Sequence, residues 1–259
     1  MRVRHLNCGS LQPVLTPGGL VCHVLLVETG DGLVLVDSGF GLRDVAEPRR
    51  RIGGARFLIR PVLDEAETAV RQVRALGYEP DDVRDVVLTH FDGDHAGGLA
   101  DFPWARVHVT SAEADAARRP RNINERYRYL PAIREHRPEL VEHRPDEGSV
   151  WRGFAAASEI VPGVVLIGLP GHTRGHAAVA VDAGERWILH AGDAFYHRGE
   201  VDGSGVFPRA LMRSQMAIAH DRKRVRANHE RLRELWAAAD PGLTIVNAHD
   251  PELLRRARG

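Results

Sequence analysis

The sequence predicts an α/β or α+β fold built as two similar halves, each a sheet covered by helices. Three observations carry this. Short apolar runs of strand length recur along the chain, stretches with helical spacing alternate with them, and an Arg- and Pro-rich segment separates the first group from the second. At 259 residues the chain corresponds to one large or two small domains.

Taken in order, Leu20 to Val27 is an apolar run, Gly30-Asp31-Gly32 is a hairpin turn signal, and Leu33 to Val36 is a second run. Asp37-Ser38-Gly39 breaks that strand. Residues 65–76 place Ala66, Ala69, Val70, Val73 and Leu76 at helical spacing, with Gly77 where a residue just past a helix end belongs. Asp85 to Leu88 reads as a short buried strand ending at Thr89-His90, followed by a helix from near His95. The strand Arg106 to Val109 leads to Ser111, the expected N-cap of a helix running through Ala117. Residues 118–152 hold nine arginines, six acidic residues and four prolines without sustained periodicity, and read as a flap inserted between the halves. Val164 to Ile167, Ala177 to Val181, Trp187 to His190 and Leu243 to Val246 read as strands. Residues 209–239 read as two helices parted near His220-Asp221, and a short helix closes the chain. No fixed-period repeat is present.

Composition narrows the functional classes. Thirty-five basic and 35 acidic residues cancel, which argues against a nucleic-acid footprint or an acidic tail. No apolar run approaches the roughly 20 residues of a membrane span, and the first 20 residues lack the apolar stretch of a secretory signal. Two cysteines, Cys8 and Cys22, make no disulfide framework, and the expected compartment is the cytoplasm. Lys223 is the one lysine, which reads as a coding bias toward arginine. Fourteen histidines are in excess and direct attention to metal ligands.

The densest signal is Thr89-His90-Phe91-Asp92-Gly93-Asp94-His95, four ligand-type side chains in six positions directly after an apolar strand. Imidazoles and carboxylates without cysteine suit Zn, Mn or Fe(II) in an open site better than a structural zinc site. Gly171-His172-Thr173-Arg174-Gly175-His176, Ala191-Gly192-Asp193 and Ala248-His249-Asp250 each place a His or Asp at the carboxyl end of a strand. Seven such ligands suffice for two ions sharing a solvent molecule.

These ordered motifs, with Leu-Val-Asp-Ser-Gly ending the second strand, resemble the metallo-β-lactamase superfamily, whose pattern is H-x-H-x-D-H, a distant His, a bridging Asp and a final His. The resemblance covers nearly the whole chain. It implies a single four-layer αββα sandwich over residues 1–259 and a site one of His90, Asp92 and His172. It further implies a site two of Asp94, His95 and His249, with Asp193 bridging two divalent ions, Zn first and Fe or Mn as alternatives. Asp92 departs from the family, standing where a second histidine is usual. The carboxylate hardens site one and resembles the Glu found there in flavodiiron proteins.

The implied chemistry is hydrolysis of a small ester or lactone by a metal-bridging hydroxide, with Asp94 accepting the attacking proton. Tyr196 lies three residues after Asp193, as in N-acyl homoserine lactone lactonases, where a tyrosine points at the substrate carbonyl. That similarity implies that Tyr196 stabilises the oxyanion. The alternatives are an iron-binding, oxidoreductase-like member and a non-catalytic metal-binding protein. Of the remaining histidines, His176 is expected to support the ligand loop, His23 and His190 to be hydrogen-bonded core residues, His197 to line the cleft, and His220 and His229 to lie on solvated helical faces.

Overall fold

A computed structural model describes residues 1–145 and 148–259. It contains two six-stranded sheets. The first is β1 (Arg2–Leu11), β2 (Leu20–Thr29), β3 (Gly32–Val36), β4 (Val83–Val87), β5 (Arg106–Thr110) and β6 (Glu139–His143), hydrogen-bonded in that order. The second holds β7 (Ser149–Trp151), β8 (Phe154–Val161), β9 (Val164–Gly168), β10 (Ala177–Asp182), β11 (Trp187–His190) and β12 (Leu243–Val246), again in sequence order from one edge to the other. The hairpin predicted at Gly30-Asp31-Gly32 joins β2 and β3 in antiparallel register, Leu25 opposite Val36. From β3 to β6 all pairing is parallel. The second sheet is antiparallel until β12 joins β11 in parallel.

The alternation of side chains along each strand builds the layers. In β2 and β3, Val24, Leu26, Leu33 and Leu35 face the helices of their own half, while Leu25, Val27, Val34 and Val36 face the other sheet. In β9 and β10 the same rule sends Val165, Ile167, Ala178 and Ala180 outward to helices and Val164, Leu166, Ala177, Val179 and Val181 inward. Strands buried on both faces are continuous apolar runs for this reason. The result is the αββα sandwich.

Several boundaries shift. The helix expected from near His95 begins at Gly93, and the helix after β5 is capped by Thr110, whose hydroxyl accepts the Glu113 N–H at 3.2 Å, not by Ser111. Segment 118–152 carries the helix Ile123–Arg128 and the edge strands β6 and β7, one for each sheet. Neither edge strand is among the strands read from the sequence, since their residues are mixed polar and half-exposed at the sheet margins, and β8 is not among them either. Asp146 and Glu147 lie outside the described residues.

A buried ion pair braces the loop between β3 and β4. Arg51 is fully buried; its Nε donates to Asp44 Oδ1 at 2.6 Å, and its Nη1 and Nη2 donate to the carbonyls of Ala132 and Gly97 at 2.6 and 2.9 Å. Gly97 leaves room for this, because a Cβ there would meet Asp44 Oδ2 at 2.1 Å. Arg51→Met leaves a buried carboxylate unpaired and is expected to cost about 3–5 kcal/mol of stability by urea unfolding. A loss below about 1 kcal/mol would contradict the bracing role.

Candidate metal centre

The ligand-type residues gather because they follow strand ends on one rim of the sandwich. His90 follows β4, His172 follows β9, Asp193 follows β11 and His249 follows β12. Backbone bonds lock the rim together: Ala177 N–H donates to Thr89 O at 2.9 Å, His23 N–H to Ala248 O at 2.8 Å and Ala248 N–H to Gly192 O at 3.1 Å. Gly192 adopts φ +53°, and a Cβ there would lie 2.7 Å from His176 Nε2.

Two groups of side chains result, His90, Asp92, His172 and Asp193, and Asp94, His95 and His249. In the first, His172 Nε2 lies 3.1 Å from Asp92 Oδ2 and 3.4 Å from Asp193 Oδ2, and His90 Nε2 lies 3.3 and 3.7 Å from the same two oxygens. In the second, His249 Nε2 lies 3.1 Å from Asp193 Oδ1 and 3.6 Å from Asp94 Oδ2, and His95 Nε2 lies 3.2 Å from Asp193 Oδ1. Each oxygen of Asp193 thus faces a different group.

These residues fit divalent cations on two grounds. Four ligands about 2.0–2.1 Å from a tetrahedral ion stand roughly 3.4 Å apart, and the observed separations straddle that value. Several of the atoms turned inward, His90 Nε2, His95 Nε2 and Asp193 Oδ1, are buried without a hydrogen-bond partner, an expensive condition unless a cation satisfies them. The outer nitrogens of His90, His95 and His249 are fixed as metal-binding histidines require, whereas His172 Nδ1 is buried without a hydrogen-bond partner. His95 Nδ1 donates to Asp37 Oδ2 at 2.8 Å and His249 Nδ1 to the Val21 carbonyl at 2.8 Å. His90 Nδ1 donates to Thr89 Oγ1 at 3.0 Å.

The electrostatics agree. Burial alone would raise the Asp193 carboxyl and lower His95 and His249. Instead His249, His95 and His172 hold Asp193 well below the usual carboxylate range, and Asp193 lifts both His95 and His249 above the ordinary histidine value. A pocket that charges buried imidazoles is one that favours cations. At Asp92 burial is likewise overcome, by the Arg128 guanidinium and His90, and the carboxyl lies well below its usual range.

The residue-by-residue outcome is mixed. His176 sits behind the centre, its Nδ1 donating to Leu169 O at 3.0 Å and its Nε2 accepting the Asp193 N–H at 2.9 Å. His190 donates from Nε2 to the His23 carbonyl at 2.8 Å, and both are buried. The Tyr196 ring stands between the groups, 5.2 Å from the His249 ring and 6.0 Å from that of His172. Burial, with Asp193 nearby, pushes its hydroxyl well above the ordinary value and keeps it a donor. His197 turns to its own turn, with Nδ1 accepting the Gly199 N–H at 3.0 Å. His220 is exposed as expected. His229 is a correction: it is buried, with Nε2 2.8 Å from the Ala194 carbonyl, because the helix Arg222–Ala237 turns that face onto the loop after Asp193.

Three residues escape the sequence reading. Asp37 accepts from His95, from Thr89 Oγ1 at 2.8 Å and from Thr89 N–H at 2.7 Å, orienting His95 directly and His90 through Thr89. It does so at φ +59°, backbone strain of the kind retained at functional sites; its Asp-Ser-Gly break was the available signal. Buried Glu113 accepts from Phe91 N–H, Tyr129 OH, Thr173 Oγ1 and Gly175 N–H, tying the His90 and His172 loops together. Arg128 has its Nη1 2.6 Å from both Asp92 Oδ2 and His172 Nε2.

The model of the metallo-beta-lactamase superfamily matches residues 17–249. The chain belongs to that superfamily. Among metallo-beta-lactamase relatives, a probable metallo-hydrolase of Mycobacterium tuberculosis is 53% identical over 261 residues, covering 100% of this chain and 83% of that protein. The N-acyl homoserine lactonase AiiA of Bacillus thuringiensis subsp. kurstaki is 28% identical over 222 residues, 81% of this chain and 80% of its own. A crystal structure of a B. thuringiensis AiiA variant with N-decanoyl-L-homoserine bound at the active site superposes with a TM-score of 0.70 at 25% identity, covering 98% of this chain and 95% of that one. Among the described residues no helix is long and apolar enough to cross a membrane.

Behind Tyr196, Glu200 accepts the His197 N–H at 3.0 Å and is only 2% exposed. Burial pushes its carboxyl up to about 8 from 4.5. The folded state therefore holds this proton more tightly than the unfolded chain. Its contribution is full below about pH 4.5 and is lost as the pH rises through about 8. Glu200→Gln, which mimics the protonated form, is expected to overtake wild type in urea midpoint across that window. A constant difference from acid to alkaline pH would contradict the buried neutral carboxyl.

Proposed function

We propose that this chain is a metal-dependent hydrolase that opens a small ester or lactone. The observation that carries the reading is Asp193, whose two oxygens face two separate groups of imidazole and carboxylate ligands. In this reading His90, Asp92 and His172 hold one divalent ion, Asp94, His95 and His249 hold a second, and Asp193 is shared. When bound, the ions, zinc before iron or manganese, supply a Lewis acid and a water of lowered pKa. Tyr196, kept protonated by its burial, donates to the substrate carbonyl oxygen as negative charge develops there. Asp94, 17% exposed at the mouth of the second group, accepts the proton released by the attacking water. The similarity to the AiiA lactonase supports a lactone as the first substrate to try.

We further place residues 1–259 in one domain, with the Ile123–Arg128 helix of segment 118–152 as a flap beside the centre. The free, buried Cys8 and Cys22 fit a reducing cytoplasm.

The test is elemental analysis of freshly purified protein followed by a panel of lactones, esters, thioesters and phosphodiesters offered to the metal-replete enzyme. Two equivalents of metal and turnover of a lactone or ester are expected. Bound iron with no hydrolysis of any member would favour the oxidoreductase-like alternative, which the carboxylate of Asp92 supports, and absence of metal would overturn both.

A further inference from the structure

Arg128 is the last residue of the helix Ile123–Arg128, and the chain on both sides of it is pinned. Asn122 caps the helix by accepting the Glu125 N–H at 2.9 Å. Glu125 in turn accepts from Arg121 N–H at 2.6 Å and from Arg174 Nη2 at 3.2 Å. Tyr129, the next residue, donates its hydroxyl to Glu113 at 2.9 Å. Arg174 lies in the loop that bears His172, and Glu113 holds that loop through Thr173 and Gly175. The guanidinium, 9% exposed, is therefore aimed: Nη2 donates to the Ile218 carbonyl at 2.9 Å, and Nη1 lies 2.6 Å from Asp92 Oδ2 and 2.6 Å from His172 Nε2.

The last contact has a chemical consequence. A neutral imidazole has one nitrogen lone pair to give. At His172 Nε2 that lone pair accepts an N–H from Arg128 or ligates an ion, and cannot do both. Asp92 is less constrained, because a carboxylate has lone pairs to spare and its Oδ1 has no hydrogen-bond partner. The second group is differently placed. His95 and His249 turn their Nδ1 to Asp37 and to the Val21 carbonyl, and their Nε2 atoms to Asp193 and Asp94.

We propose that Arg128 is a built-in cation of the first group. An ion enters the Asp94, His95 and His249 group with the centre as it stands, whereas an ion enters the His90, Asp92 and His172 group only as the guanidinium leaves His172. The inference rests on the metal-dependent reading above and adds an order of loading to it. Its physical logic is charge: three carboxylates, Asp92, Asp94 and Asp193, converge on the centre, and the guanidinium at Asp92 balances one of them. Departure of Arg128 also breaks its tie to Ile218, so loading of the first group is coupled to the contact between the Ile123–Arg128 helix and the end of the helix Arg209–Ile218.

The experiment is calorimetric titration of the chelator-stripped full chain with zinc, on wild type, His172→Ala and Arg128→Gln. Wild type should bind zinc in two unequal steps, with His172→Ala losing the weaker one. In Arg128→Gln the weaker step should tighten by about 10–100-fold, the range over which groups just outside a metal's ligands tune affinity, while the tighter step stays put. Two equal steps in wild type, loss of the tighter step in His172→Ala, or a weaker step that is unchanged or weakened in Arg128→Gln would each overturn the role of Arg128 while leaving a two-metal hydrolase intact. No zinc uptake by any of the three would remove the metal reading itself. Should Arg128→Gln fail to fold by circular dichroism, the wild-type and His172→Ala titrations decide between these outcomes.

Discussion

Asp193→Ala should strip the centre of both ions and abolish turnover together. Its Oδ1 lies 3.1–3.2 Å from His249 and His95, and its Oδ2 3.4–3.7 Å from His172 and His90. One substitution therefore removes a ligand from each group. It also leaves His95 and His249 without the carboxylate that offsets their burial. A metal's stabilisation of developing charge is worth several kcal/mol, so turnover should fall by at least about 10³-fold, tracked by elemental analysis of the same preparations. His249→Ala is the matched control and should cost mainly one ion. Full metal content with full turnover in Asp193→Ala would refute the shared-ligand assignment.

Tyr196→Phe should leave the metal content unchanged and lower kcat and kcat/KM together. The ring is held in an apolar cluster with Leu11, Leu20, Cys22, Phe40, Ile52 and Leu211 and against the His249 ring, contacts that phenylalanine keeps. What is lost is one preorganised O–H donor, worth about 2.7–4 kcal/mol or roughly 10²–10³ in turnover when it serves an oxyanion. Because such a bond is made mainly in the transition state, the loss belongs in kcat. A rise in KM alone would mean that Tyr196 only holds the substrate, and no change in either constant would return it to packing.

The strands that mattered most were legible because they are buried on both faces. Leu33 to Val36 and Trp187 to Leu189 have no polar interruption, Leu243 to Val246 has only Thr244, and the chain must leave each of them in a loop. A His or Asp at that exit is visible as a motif, which is why His90, His172, Asp193 and His249 could be named from the sequence and why the structure finds them on one rim. The edge strands β6 and β7 were not legible: half their side chains face water, so their residues carry no apolar alternation to read.

The partners of those ligand-type residues belong to a different level. Asp37 lies 58 positions from His95, Glu113 lies 62 from Gly175 and Arg128 lies 44 from His172. No local period links such pairs, and a buried acid or arginine looks in sequence like any solvated one until the fold excludes water around it. His229 shows the same rule in reverse, a histidine among charged helical neighbours that packing turned inward onto the Ala194 carbonyl. Sequence alone determined the strand exits and the ligand types, because these follow from local periodicity and from side-chain chemistry, while the four layers came from the resemblance of its motifs to a family. Tertiary structure alone decided which oxygen of Asp193 faces which group, that Asp37 orients two histidines, and that a guanidinium stands at Asp92 and His172. Those depend on distances between strand ends, and distance between remote residues is set only when the two sheets pack.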